Sequence, residues 1–183
     1  MTDFKQLLTQ ENTYIFQAFL VIFVALIANF FQKRVVKSLA GKAKLTLNKW
    51  DAALLQSVPR PFSVIIWVTS IAFAGEIIQK ATGAVILEAL SPLRDAIIIA
   101  ALAWFLVLTI RHTEKNYLTT GKDVDPTTLD GISKLARISV AITAALMILQ
   151  TLGFSISGVL AFGGVGGIAI GFAAKDLLSN FFG

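Results

Sequence analysis

The sequence predicts an all-α membrane protein of five transmembrane helices, the last of them rich in glycine and alanine and broken at Lys175-Asp176. Three observations carry this. Hydrophobic residues make up 56% of the chain and charged residues only 15%, whereas a soluble surface needs about a quarter of its residues charged. The apolar residues fall in five blocks, each near the ~20 residues that cross the hydrocarbon core. Lys and Arg collect in the connections on one side.

The spans are expected at about 14–32, 61–79, 95–111, 135–152 and 156–174. Asp3, Lys5 and Glu11 precede the first, which ends in "NFFQKR" rather than at a small-residue cleavage site. It therefore reads as a retained helix, not a cleaved signal peptide. Apolar positions at Val36, Leu39, Ala40, Ala43 and Leu47 continue the helical pattern, predicting an extension of the first span along the membrane surface. Glu76, near the end of the second span, stands four residues before Lys80, the spacing of a helical ion pair. His112, the one histidine, ends the third span and reads as a solvated interfacial side chain. With no cysteine in the chain, disulfides and thiolate metal sites are excluded, and no metal or cofactor is expected.

The two longer connections share a pattern in which Thr46 and Asp51, then Thr128 and Asp130, precede an apolar helix. Both read as polar helix starts. Between spans four and five, "QTLGFSIS" leaves only a few residues around Gly153, predicting a tight antiparallel hairpin.

Orientation follows from the basic residues, because cytoplasmic loops carry the excess. Lys33, Arg34, Lys37, Lys42, Lys44, Lys49 and Arg60, then Arg111, Lys115, Lys122, Lys134 and Arg137, and finally Lys175 lie on one side, against Lys5, Lys80 and Arg94 on the other. The N-terminus is expected outside and the C-terminus inside. The net charge of +5 is then a topology signal rather than a nucleic-acid footprint. The Lys33 to Lys49 loop is a candidate contact for anionic lipid.

At 100° per residue the small residues of the last span form two flanks. Gly163, Gly167, Gly171 and Gly164 lie between about 0° and 100°, and Gly158, Ala169 and Ala173 between about 220° and 280°. Ile168, Phe172 and Val165 occupy the stripe between. Small residues let membrane helices approach closely, and two non-equivalent small faces favour a head-to-tail contact that closes a ring. The stripe would then face the ring axis as a hydrophobic constriction. The simpler alternative is a packing helix within one bundle. Lys175 suits the end of that helix and Asp176 the start of another, with Leu177, Leu178, Phe181 and Phe182 as an interfacial apolar face.

The string "LGFSISGVLAFGGVGGIAIGFAAKDLLSNFFG", Leu152 to Gly183, resembles the pore helix of the small-conductance mechanosensitive channel (MscS-like) family, five-span bacterial type. The resemblance implies a homoheptamer in a bacterial inner membrane, opened by tension to pass ions and small osmolytes under osmotic stress. It places the constricting rings at Ile168 and Phe172 and the kink at Lys175 and Asp176. A charged pair stands where the best-known member has Gln-Gly, and Phe172 where it has Leu. Residues 1–152 would form the tension-sensing helices and 153–183 the pore-lining part, with the family's cytoplasmic domain outside this chain. Expected partners are further copies of the chain, membrane lipids and permeating ions, not nucleic acid. A secondary transporter would need buried polar groups at the midplane, and a non-conducting oligomeric scaffold would use the same glycine faces. No constellation of an enzyme is present: "GGVGG" lacks the Lys-Ser/Thr of a phosphate loop.

Overall fold

In hydrocarbon every backbone N–H and C=O must be satisfied within its own segment, so a chain this apolar is driven into helices. The computed structural model describes residues 13–46, 49–84, 89–119 and 125–182, with side chains throughout except at 40–46, 49, 176–178 and 181–182. Six helices follow in order among the described residues: α1 (Thr13–Thr46), α2 (Lys49–Ser57), α3 (Pro59–Thr82), α4 (Leu90–Leu118), α5 (Pro126–Thr151) and α6 (Ser157–Phe182). Five stretches are long and apolar enough to cross a membrane: Thr13–Leu39, Trp50–Thr82, Leu90–Leu118, Pro126–Thr151 and Ser157–Lys175. Each contains or overlaps one expected span.

The 34 residues of α1 extend about 50 Å at 1.5 Å per residue, further than the hydrocarbon is thick. The predicted continuation of the first span is thus present as far as Thr46. Helices α2 and α3 form one bent rod. Val58 keeps helical angles and donates its N–H to Leu54 at 3.2 Å, but Pro59 and Pro61 have no N–H to give, which weakens the ladder there and accounts for a joint.

Helix α4 is the hub. It packs against α2, α3 and α5, while α1 packs against α3 and α2. The buried positions are small: Ala18 and Ala25 on α1, Ala72, Ala74 and Gly75 on α3, and Ala96 and Ala101 on α4. A methyl group on Gly75 would run into the tip of the Leu90 side chain of α4, so at this crossing that side chain lies over bare backbone. Phe62 and Phe105 meet edge to face at 5.6 Å, and Ser63 donates a hydrogen bond to Asn29.

Four expectations need correction. Glu76 does not pair with Lys80: its carboxylate accepts from Arg94 of α4 at 2.9 Å, and Arg94 also donates to Asp95 at 2.8 Å. The guanidinium fork spans two carboxylates at once, which an ammonium on a flexible stem does less well. The cap of α5 is Asp125, which accepts from the backbone N–H of Thr127 at 3.3 Å and of Thr128 at 2.9 Å. Pro126 follows at the first helical position, where its missing N–H costs nothing. Thr128 therefore lies inside the first turn, and Asp130 pairs with Lys134 at 2.7 Å. At the other start, Thr46 ends α1 and Asp51 lies within the first turn of α2.

The third correction concerns the hairpin. Gly153 adopts a left-handed φ of 88° and donates to Gln150, while Phe154 donates to Leu149, so α5 ends in a glycine cap. Beyond it α6 packs on no other helix among the described residues. Five residues from Leu152 to Ile156 are enough to let α6 swing clear. Lastly, α6 runs unbroken through Lys175 and Asp176 to Phe182, because neither residue removes an N–H or forces a left-handed angle. The predicted break, and the second helix after it, are not present in the protomer.

Two tests follow. Glu76→Ala should lower stability by about 1–2 kcal/mol, between exposed and buried ion pairs, while Lys80→Ala leaves the detergent melting temperature in place; equal losses would restore the i,i+4 pairing. Hydrogen bonds from Thr128 and Thr127 hold the Asp125 carboxyl below its ordinary range. The cap is therefore complete above that range and is lost as pH falls through the depressed value. Amide exchange at the start of α5 should be faster in Asp125→Ala than in the parent near neutral pH, and the two should converge in strong acid.

Candidate functional site

Helix α6 forms despite six glycines at 158, 163, 164, 166, 167 and 171, because in lipid an unwound backbone would leave its polar groups unpaired. The first turn closes with Leu160 donating to Ile156 at 2.9 Å. Since the helix is continuous, the two small flanks are geometrically real. Gly163, Gly164, Gly167 and Gly171 lie along one side, and Gly158, Ala169 and Ala173 along another. Neither flank is covered among the described residues: a Cβ added at any of these five glycines would meet nothing within 4 Å.

Ile168 and Phe172 stand one turn apart on the stripe between the flanks, with 63% and 65% of their surface exposed. Val165 is similarly open. The structure thus brings the predicted constriction residues onto one face of one helix, with no contact to α1–α5 among the described residues. Lys175 lies exposed less than one turn after Phe172. The side chains of Asp176, Leu177, Leu178, Phe181 and Phe182 lie outside the described residues.

Of the predicted basic surface, Lys33, Arg34 and Lys37 are exposed on α1 around the buried Val36. None of the three takes part in an ion pair among the described residues. The side chains of Lys42, Lys44 and Lys49 lie outside the described residues. No group of three or more His, Asp or Glu side chains that could hold a metal ion occurs among the described residues.

What the sequence reading missed is a set of polar ties that make α1–α5 one unit. His112 is not a freely solvated side chain: its Nδ1 lies 2.9 Å from Ser57 Oγ, and Ser57 is 1% exposed. The Ser57 hydroxyl also lies 2.7 Å from the Ala53 carbonyl of its own helix, so it bridges that carbonyl and the imidazole. This joins α2 to α4. Trp50 and Tyr117 meet edge-on at 6.2 Å across the same pair. Between α4 and α5, Arg137 lies 3.2 Å from Glu114, both largely shielded. A sequence signal existed for the Glu76–Arg94 tie: two consecutive helical spans joined by a short connection place the end of one near the start of the next.

One family model covers most of α5 and the first part of α6. Residues 134–175 match the family described as "Mechanosensitive ion channel, transmembrane helices 2/3". The chain is 39% identical over 77 residues to the low conductance mechanosensitive channel YnaI of Escherichia coli, covering 42% of this chain and 22% of that protein. It is 32% identical over 120 residues to the mitochondrial mechanosensitive ion channel protein 1 of Arabidopsis thaliana, covering 62% of this chain and 23% of the other. With the large-conductance mechanosensitive channel MscMJLR of Methanocaldococcus jannaschii it shares 38% identity over 76 residues, 42% of this chain and 19% of the relative. The chain thus spans only about a fifth of the length of these curated relatives. No solved structure matches it.

Proposed function

We propose, from the premise that this chain belongs to the MscS-like family, that it is part of a subunit of an ion channel opened by membrane tension. The observation that carries the reading is α6: two small-residue flanks uncovered in the protomer, with Ile168 and Phe172 on the stripe between them. Copies of the chain would meet flank to flank in a ring, a heptamer by resemblance to the family, with the stripe on the axis. A narrow ring of Ile and Phe side chains excludes ions by dewetting before it is sterically sealed. Lys175 would then stand near the inner mouth, with the basic end of the molecule cytoplasmic and the N-terminus outside, in a bacterial inner membrane.

Tension shifts an equilibrium only by the difference in free energy between two states, so the open state must occupy more area in the plane of the bilayer. The polar ties of α1–α5 support their movement as one lipid-facing paddle, with Lys33, Arg34 and Lys37 of α1 attracted to anionic headgroups. Because α6 does not pack on α5, the pull would reach it along the chain, through the Gly153 cap. Gly and Ala flanks then slide past one another at little cost, since they do not interlock as large side chains do. The outcome is release of ions and small osmolytes under hypoosmotic stress.

Suction on membrane patches holding the full-length protein should elicit current, and Phe172→Ser should lower the threshold by easing wetting. Absence of tension-dependent current would leave the scaffold or the transporter in its place. Gly167→Leu, whose side chain has open space in the protomer, is expected to keep the helix content by circular dichroism yet lower the mass of the detergent-solubilised assembly. An unchanged mass would remove Gly167 from the subunit contact.

A further inference from the structure

Helix α2 is anchored differently at its two ends. Two residues separate its start at Lys49 from Thr46, the end of α1, and at its other end it continues through Val58 into α3. Pro59 and Pro61 have no N–H, so the carbonyls of Leu55 and Ser57 lack the backbone donor that an unbroken helix places four residues on. The joint is pinned at the same point, because Ser57 lies 2.9 Å from His112 of α4. A rod pinned beside a weakened joint turns about that point more readily than it shifts. At the far end of α2, Trp50 rests edge-on against Tyr117 of α4.

Gln32 of α1 stands level with the joint. Asn29 accepts from Ser63 of α3, and consecutive spans run in opposite directions, so one turn further along α1 brings Gln32 to the height of Pro59 and Arg60. Both polar atoms of the Gln32 amide are shut off from solvent, and neither has a hydrogen-bond partner among the described residues. A primary amide carries two donor hydrogens, and leaving it buried and unpaired costs more than a typical pair returns. Unpaired donors on α1 and donor-poor carbonyls on the α2–α3 rod thus share one level of the fold, where α1 packs on both helices.

We propose that α2 is a lever with two positions, turning on the Pro59–Pro61 joint, and that Gln32 selects between them. In the first position, that of the structure, Trp50 rests on Tyr117 and the Gln32 amide is unpaired. In the second, a carbonyl freed by Pro59 or Pro61 accepts from Gln32, and Trp50 leaves Tyr117. Because α1 hands its chain to the free end of α2 within two residues, a pull on the inner end of α1 falls on the lever. The device depends on the fold alone and not on conduction.

The test places spin labels on cysteines introduced at Leu54 of α2 and Leu102 of α4, both exposed, in the full-length protein in lipid nanodiscs, with labelled subunits diluted among unlabelled ones. Pulsed electron paramagnetic resonance should resolve two distances. Gln32→Met, similar in size but without donors, should lower the share of the second relative to the first about fivefold, the scale of one net hydrogen bond. Pro59→Ala, which returns a backbone donor to the Leu55 carbonyl and stiffens the joint, should leave the first distance alone. Since Gln32→Met removes an unpaired amide, its melting temperature should match or exceed the parent's; a lower one would mean that Gln32 is already paired, and would overturn the proposal. A single distance in the parent, or unchanged proportions in Gln32→Met, would overturn it as well. Two positions in a protein that passes no current would keep the lever and sink only the channel.

Discussion

A bilayer gives apolar helices no reason to leave it for one another, because a lipid tail solvates leucine as well as another helix does. The rest of the structure follows from that constraint. Among the described residues the buried hydrophobic side chains are alanines, one valine and Pro61, while Phe19, Phe30, Ile71 and Leu135 face outward. A soluble protein is the reverse of this. Helices here associate where the backbone can come close, at Ala25, Ala72 and Gly75, and where polar groups find partners that lipid cannot supply. Ser63 with Asn29, Ser57 with His112, Arg94 with Glu76 and Arg137 with Glu114 each join two different helices.

These ties place α4 at the centre of the α1–α5 unit. It holds α3 through Arg94, α2 through His112 and α5 through Glu114, at both ends of its length. A helix clamped at both ends transmits lateral force to its neighbours instead of yielding locally. Helix α6 is connected differently. Its link to this unit is the short chain through Gly153, where a left-handed glycine tolerates a change of direction that another residue would resist.

The same constraint explains what could be read from the sequence and what could not. Hydropathy depends on each residue's own transfer free energy, so the five spans were legible in number and order, while several of their ends lie well beyond the expected bounds. Helix pairing depends on partners far away in sequence. Glu76 has Lys80 nearby in the chain, and only the return of α4 brings the better fork of Arg94 to it. Asp125 was legible in principle, since Asp-Pro-Thr-Thr is a helix start, but Asp130 competes for the same reading until the turn is seen. The stripe of Ile168 and Phe172 follows from helical periodicity alone. What that stripe faces does not, because it lies beyond the protomer.

The composition of α6 bears on that last point. Each glycine within a helix costs about 1 kcal/mol relative to alanine, so six of them cost roughly 5–6 kcal/mol, comparable with the whole stability of a small domain. Helix formation in lipid absorbs this cost, but alanine at the same positions would absorb it without the penalty. Glycine is favoured only where something must come closer than a Cβ permits. At Gly75 the tip of the Leu90 side chain occupies that space, whereas a Cβ added to the glycines of α6 would meet nothing within 4 Å. Helix α6 therefore carries a cost that no helix contact among the described residues offsets, and a second backbone brought against its flanks is the compensation that physical chemistry offers.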